Sequence, residues 1–364
     1  MRKLIIALIS SLPLLASARA PSTYSQVKYE VMKTSQSDLI RTLNDFVKVS
    51  APSRMVGLPG HDKALSSIQA SIKSYDPKSK GKLSLDKFTP DVAEAQRFYQ
   101  SDFDAKVEGK IPATNPEYQK WSNFTAYMKS AAQKYAANEG VNVIWEKTGI
   151  DASKVLVITA HYDTISHDPK TLLIAETAAM PGANYNATGV SVALALVKTL
   201  AQIDLNYTVQ VVFLDWQGIG YLGSHRYATD LKKSGKNVLG FLNLEMLGQD
   251  TSFFDKTKKT GNMNVYSRPQ DEKFIRALEQ HGSKMGSKVT FTSKTTGFDN
   301  SDNIRLWENG FTGGTFTQNW EEDFNAKFYQ TPQDTPETLN HQTLYNGYLF
   351  IGGAVLGTLL DITK

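Results

Sequence analysis

The chain has 364 residues, 40 Lys and Arg against 36 Asp and Glu, six His and no Cys. A balance so near neutral, without a long basic block, gives no electrostatic basis for a nucleic-acid or anionic-membrane partner. The missing cysteines exclude thiolate nucleophiles, Cys-ligated zinc and iron–sulfur clusters, leaving His, Asp and Glu as the strong metal ligands.

Residues 1–20 open with Arg2 and Lys3, run through an apolar stretch from Leu4 to Leu15, and close on Ala18-Arg19-Ala20. That pattern predicts a secretory signal peptide with cleavage near Pro21, and so a periplasmic or extracellular protein. Residues 21–364 are expected to form one α/β domain. No later stretch is expected to span a membrane; the best candidate, Tyr348 to Leu360, is short and contains three glycines.

Helical spacing is expected from Ser35 to Val49 and again through Ala64, Ile68, Ile72 and Tyr75, with a turn at Gly57–Gly60 between them. Lys82 to Phe88 alternates as a strand. Residues 91–137 read as an inserted helical layer broken between Gly109 and Pro116, before strand-like sequence resumes at Val141–Trp145. The aromatic residues of that insertion (Phe98, Tyr99, Phe103, Tyr118, Trp121, Phe124, Tyr127) either cap a cleft, face a partner or pack on the helices of the sheet; the last is the expectation.

The runs Val155–Ala160, Val209–Leu214 and Val238–Leu244 are continuous and apolar, the mark of strands covered on both faces. Gly189–Gln202 between the first two is a strongly apolar helix. A helix at Glu272–Met285, a strand at Lys288–Thr292 and a closing helix at Leu344–Leu360 follow. Strands alternating with helices predict a three-layer, mainly parallel, doubly wound sheet. Ligand chemistry in such a sheet belongs to the loops beyond the strand carboxyl ends.

Those loops carry His161-Tyr162-Asp163-Thr164, Pro181-Gly-Ala-Asn184-Tyr185-Asn186, Asp215-Trp-Gln217-Gly218, Asn243-Leu-Glu245-Met246, Ser301-Asp302-Asn303 and Phe328-Tyr-Gln330-Thr-Pro. In this order the six pieces resemble the zinc aminopeptidase family that includes bacterial leucyl aminopeptidase, glutamate carboxypeptidase and transferrin receptor and, more distantly, glutaminyl cyclase. The resemblance runs from about Ser50 to Leu360, apart from the insertion. It implies that family's α/β fold and a site for two zinc ions joined by a bridging carboxylate, with a Glu as general base.

Residue by residue, the resemblance implies that most of the chemistry is gone. Tyr185 stands where the family has its bridging Asp. Gln217 replaces the general base and Gly218 the adjoining zinc ligand. Gln330 replaces the last zinc His, and Asn303 a His that commonly follows the Ser-Asp pair. His161 and Glu245 remain, both belonging to one metal position, with Asp163 beside them in a supporting place. His161 and Glu245 form either half of a weak single-metal site or a metal-free remnant, and the remnant is the expectation. Gln217 keeps the shape of Glu but cannot take a proton from water at neutral pH.

The expected function is therefore that of a catalytically inactive relative that binds a peptide, ligand or protein partner at the old cleft or its rim. Asn184, Asp302 and Asn303 are further candidate cleft residues. No cofactor is expected on this reading. The alternative is a metal-dependent exopeptidase, an aminopeptidase with an altered single-metal site, for which zinc is the cofactor. A nonmetal hydrolase has no Gly-x-Ser-x-Gly elbow to support it; His225 is placed on a helix. Asn123, Asn186 and Asn206 head Asn-x-Thr triplets.

Overall fold

A computed structural model describes residues 20–168, 170–251 and 261–363. The signal-peptide assignment, apart from Ala20, falls outside the described residues. Eight strands form one sheet in the order β1-β2-β4-β3-β5-β8-β6-β7. They are β1 (Lys82–Phe88), β2 (Gly140–Lys147), β3 (Asp151–His161), β4 (Tyr207–Leu214), β5 (Asn237–Leu244), β6 (Gly261–Ser267), β7 (Val289–Lys294) and β8 (Gly313–Gln318). The central ribbon β4-β3-β5-β8 is parallel throughout, while β1–β2, β2–β4 and β6–β8 pair antiparallel. The sheet is the mainly parallel, doubly wound one that the sequence predicts, with antiparallel pairings toward its flanks.

The helices are α1 (Tyr24–Met32), α2 (Gln36–Val49), α3 (Pro59–Tyr75), α4 (Val92–Lys106), α5 (Pro116–Tyr135), α6 (Thr188–Leu200), α7 (Leu222–Lys233), α8 (Glu272–Ser283), α9 (Asn303–Glu308) and α10 (His341–Leu360). Local chemistry explains their ends. Ser35 caps α2 and Asp38 returns a bond to its backbone, a capping box; Pro59 takes the first turn of α3, where its missing N–H costs nothing. Helix α6 is buried almost all round because it lies between β3 and an outer layer of α2 and α3. Helices α7 and α9 cover the opposite face, where Tyr227, Leu231 and Leu306 pack with Val155, Val157 and Phe241.

Helix α10 begins before the apolar stretch read from sequence and is long and apolar enough to cross a bilayer. Some 83% of its apolar window is nevertheless buried inside the fold, as in the core helix of a globular protein. The inserted pair α4–α5 departs from expectation more sharply. It does not lie on the helices of the sheet but over the loops beyond the strand carboxyl ends, with Ala95, Met128 and Ala132 in one apolar cluster with Ile165, Tyr185, Trp216 and Met246. Residues 91–137 thus roof the place where the six motif loops converge.

Strand β3 lies between β4 and β5, and the chain leaves it through α6 toward one neighbour and returns through α7 to the other. Its carboxyl end is the topological switch point of the sheet, where open α/β sheets bind ligands. His161 is its last residue.

Candidate functional site

The floor of the cleft is set by the loop from Pro181 to Ala187. Gly182 takes a left-handed φ of +58°, and the loop is then pinned from three sides. Asp334 accepts the amides of Asn184 and Tyr185 at 2.8 and 2.9 Å. Asn186 accepts the amide of Met246 and donates to Leu244 O, tying the loop to the end of β5. The fully buried Arg54 donates to Tyr162 O, Pro181 O and Gly182 O at 2.7, 2.6 and 2.9 Å. Gly189 must be glycine here, because a Cβ would meet Leu244 O at 2.4 Å.

This bracing aims the Tyr185 ring into the cleft floor. It is 1% exposed, tilted against His161 at a centroid distance of 4.8 Å and edge-on to Tyr329 at 5.3 Å. Its hydroxyl donates a short hydrogen bond to Gln217 Oε1. Burial and the nearby carboxylates raise its pKa well above the usual phenol value, so Tyr185 is a neutral donor to Gln217.

His161 donates through Nδ1 to Asp163 O at 3.1 Å. Its Nε2 lies 3.6 Å from Glu245 Oε1, and both atoms are buried without a hydrogen-bond partner. Burial opposes a charge on His161, but Asp163 and Glu245 outweigh it and raise the imidazolium pKa to about 10. Asp163 accepts the amides of Gln217 and Gly218, each at 3.0 Å. Burial is overcome there by His161 and those amides, which keep the carboxyl below its usual range. Glu245 accepts from the Ser301 hydroxyl. Asp302 is fully buried, both its oxygens lack a hydrogen-bond partner, and burial raises its carboxyl to about 7 against the pull of His161 and the nearby Ser224.

The structure brings His161, Asp163, Tyr185, Gln217 and Glu245 together. Gly218 and Gln330 stand above them on the wall of a cavity of about 580 Å³. Asn184 and Asn303 are spent on bracing. Asn184 donates to Gln318 and accepts from Gly248, and Asn303 donates to Phe298 O, so neither lines that cavity. Of the Asn-x-Thr triplets, Asn186 and Asn206 have amides engaged with backbone carbonyls, whereas Asn123 is exposed on α5. Backbone strain gathers in the same region. Leu172, Trp216, Tyr221, Met246 and Gln330 all hold positive φ between 54° and 59°, and all line the cavity or adjoin a floor residue.

Tyr221, Tyr329 and Asp334 lie in or just beyond the motif loops but are given no role by the sequence, and Arg54 and Trp320 lie outside them. Arg54 is a lone charge, and nothing local marks it. A buried pair, His61 Nε2 to Asp215 Oδ1 at 2.8 Å, anchors α3 to the end of β4 in the same way.

The donor set does not fit two metal ions. At the positions the resemblance implies for the metal ligands, Tyr185 has a hydroxyl already bonded to Gln217, and Gly218 and Gln330 supply no carboxylate or imidazole. Among the ligand positions that the resemblance implies, His161 and Glu245 retain donor atoms without a hydrogen-bond partner, as does the buried Asp302 outside that set. Elsewhere among the described residues, Glu94, His225 and Glu308 approach one another closely enough to hold an ion. There Arg305 Nη1 lies 2.6 Å from Glu94 and 2.9 Å from Glu308, so the carboxylates already have a cation.

The model of peptidase family M28 matches residues 142–349, more than half of the chain. The chain belongs to peptidase family M28. Among its curated relatives, a protein named as a probable zinc metalloprotease in Pyrenophora tritici-repentis is 36% identical over 111 residues, 30% of this chain and 22% of that protein. Aminopeptidase YwaD of Bacillus subtilis is 22% identical over 241 residues, 63% of this chain and 47% of its own. The chain thus spans less than half the length of these M28 relatives. Two solved structures share the fold. An aminopeptidase from Aneurinibacillus sp. strain AM-1 aligns with TM-score 0.64 and 17% identity over 92% of this chain and 96% of that one. A glutaminyl cyclase from Bacteroides thetaiotaomicron aligns with TM-score 0.60 and 14% identity over 90% and 98%. Helices α4 and α5 precede the residues matched to M28.

Proposed function

We propose that this M28 member is exported and binds a ligand in its cleft without hydrolysing it. The observation that carries the reading is the Tyr185–Gln217 hydrogen bond, which joins the two residues standing in place of the bridging carboxylate and the general base. A neutral phenol and a neutral amide can hold a ligand, but neither accepts a proton from water at neutral pH. Export is supported by the sequence of residues 1–20. The reading is tested by metal analysis of the purified protein and by assay of aminoacyl p-nitroanilides with added zinc or manganese. Less than one metal per chain and no turnover are expected; two tightly held metals, or turnover abolished by a chelator, would overturn it.

One observation favours a second reading, that of a metal-dependent exopeptidase. His161 Nε2 and Glu245 Oε1 face each other 3.6 Å apart with no hydrogen-bond partner, and a metal ion that displaced the imidazolium proton would find both as ligands. The names of the relatives, a metalloprotease and an aminopeptidase, point the same way. A single zinc lost on His161→Ala, with hydrolysis lost beside it, would establish this reading over the first.

A further inference from the structure

The cavity above Tyr185 is walled on one side by residues outside the family match. Phe98 and Tyr99 of α4 and Trp121 and Phe124 of α5 form one side. Tyr185, Tyr221, Trp320 and Tyr329 face them from the loops that follow β3, β4 and β8. The rings meet edge to face: Trp121 with Phe124 at 5.8 Å, Tyr99 with Phe124 at 6.3 Å, and Trp320 with Tyr329 at 5.4 Å between centroids. Such a box offers a further aromatic ring the same geometry on several sides. Its volume of about 580 Å³ suits a small organic ligand or one side chain with its flanking amides.

The ionic groups at the rim of this box already contact one another, two carboxylates sharing one ammonium. Lys106 at the rim lies 2.7 Å from Asp102 and 3.1 Å from Asp299. Asp163 below is occupied by two backbone amides. His167, edge-on to Phe124, is held neutral by burial. What the floor offers is the Gln217 amide: Tyr185 takes its Oε1, and its Nε2 bonds to no group among the described residues.

The geometry points to an uncharged aromatic ligand with an adjoining amide, its ring held among the rings of α4 and α5 and its carbonyl accepting from Gln217 Nε2. This rests on the cleft binding without hydrolysis. The cleft-facing polar group that is left free is the neutral Gln217 amide, which offers an amide carbonyl a donor and an ammonium no charge. The same chemistry can come from a small aromatic amide or from an aromatic residue within a peptide.

The test is calorimetry on the full chain with four probes: N-acetylphenylalaninamide, N-acetylleucinamide, phenylalaninamide with its free amine, and a doubly capped heptapeptide with one central Phe. N-acetylphenylalaninamide is expected to bind at least tenfold tighter than the leucine and free-amine probes. Phe124→Ala and Trp121→Ala should each weaken it tenfold or more. Ile111→Trp fills the cavity from its wall without removing a ring, and should abolish binding while the melting temperature holds. Binding of the small amide alone identifies a free aromatic amide as the ligand type, and binding of the heptapeptide as well identifies a peptide residue; either supports the inference. No binding of any probe, equal binding of the leucine probe, or preference for the free amine overturns it. Ammonia release from phenylalaninamide, in contrast, would overturn the noncatalytic reading on which it rests.

Discussion

The Tyr185 hydroxyl donates to Gln217 Oε1, so two buried polar groups at the floor of the cleft satisfy each other. Each is buried, and each would leave an unmet polar group if the other were lost. Tyr185→Phe and Gln217→Leu are each expected to destabilise the protein by about 1 kcal/mol, with a coupling energy of about 1 kcal/mol in the double variant. Denaturant unfolding of the four proteins in the cycle measures this. Strict additivity would mean that the bond contributes nothing in solution.

Restoring metal binding requires more than putting back the lost ligands. The combined variant Tyr185→Asp, Gln217→Glu, Gly218→Glu and Gln330→His returns the bridge, the base and both donors of the second position. Gly218 has no left-handed φ to preserve, but a Cβ there would stand 2.9 Å from Ile165 Cβ. Because the clash is with Cβ itself, Ile165→Ala would not relieve it and Ile165→Gly would. The fourfold variant is expected to fold poorly and the fivefold variant to bind zinc by calorimetry. A well-folded fivefold variant without metal binding would show that these positions do not form the metal pair.

Arg54 is fully buried and donates to three backbone carbonyls around the Tyr185 loop, with Asp334 and Asp163 supplying opposite charge. Burial still lowers its pKa to about 10, so it remains charged at neutral pH. Arg54→Met leaves those carbonyls unpaired and Asp334 without its cation. A loss of about 3–5 kcal/mol is expected in urea unfolding. Arg54→Lys should recover only part of it, since an ammonium cannot span the same carbonyls as a planar fork. A loss below 1 kcal/mol for Arg54→Met would refute this role.

What could be read from sequence follows how locally each feature is encoded. Strands β3, β4 and β5 announce themselves because burial on both faces leaves unbroken apolar runs. β8 does not: Gly313-Gly-Thr-Phe-Thr-Gln318 has one large apolar residue, and it is a strand because β5 and β6 pair with it on either side. α9 is too short, at six residues, to show a period. The floor residues His161, Tyr185, Gln217 and Glu245 were reachable through the order of the motif loops. The roof was not. The aromatic residues of α4 and α5 have the spacing of core residues, and only the tertiary arrangement turns Phe98, Trp121 and Phe124 toward the cleft.

Asp302 gives the site a pH signature. Its carboxyl is raised from 3.8 to about 7 by burial. The folded state therefore binds a proton there that the unfolded chain releases near pH 4, and stability falls as pH rises through that interval and levels off above about 7. At pH 8 the protein holds a buried carboxylate whose oxygens lack hydrogen-bond partners. Asp302→Asn removes the charge with little change in shape. It should stabilise the protein more at pH 8 than at pH 5, by a difference of about 2–3 kcal/mol from the two pH units up to about 7 in which folded Asp302 keeps a proton that the unfolded chain has lost. His161, raised to about 10, also favours the protonated fold, and its stabilisation is lost as pH rises from about 6.5 toward 10. The readout is therefore the difference between variant and wild type at each pH, taken from paired urea titrations. Parallel stability curves for the two proteins between pH 5 and pH 8 would show that Asp302 is ionised throughout, and that some partner in solution satisfies its carboxylate.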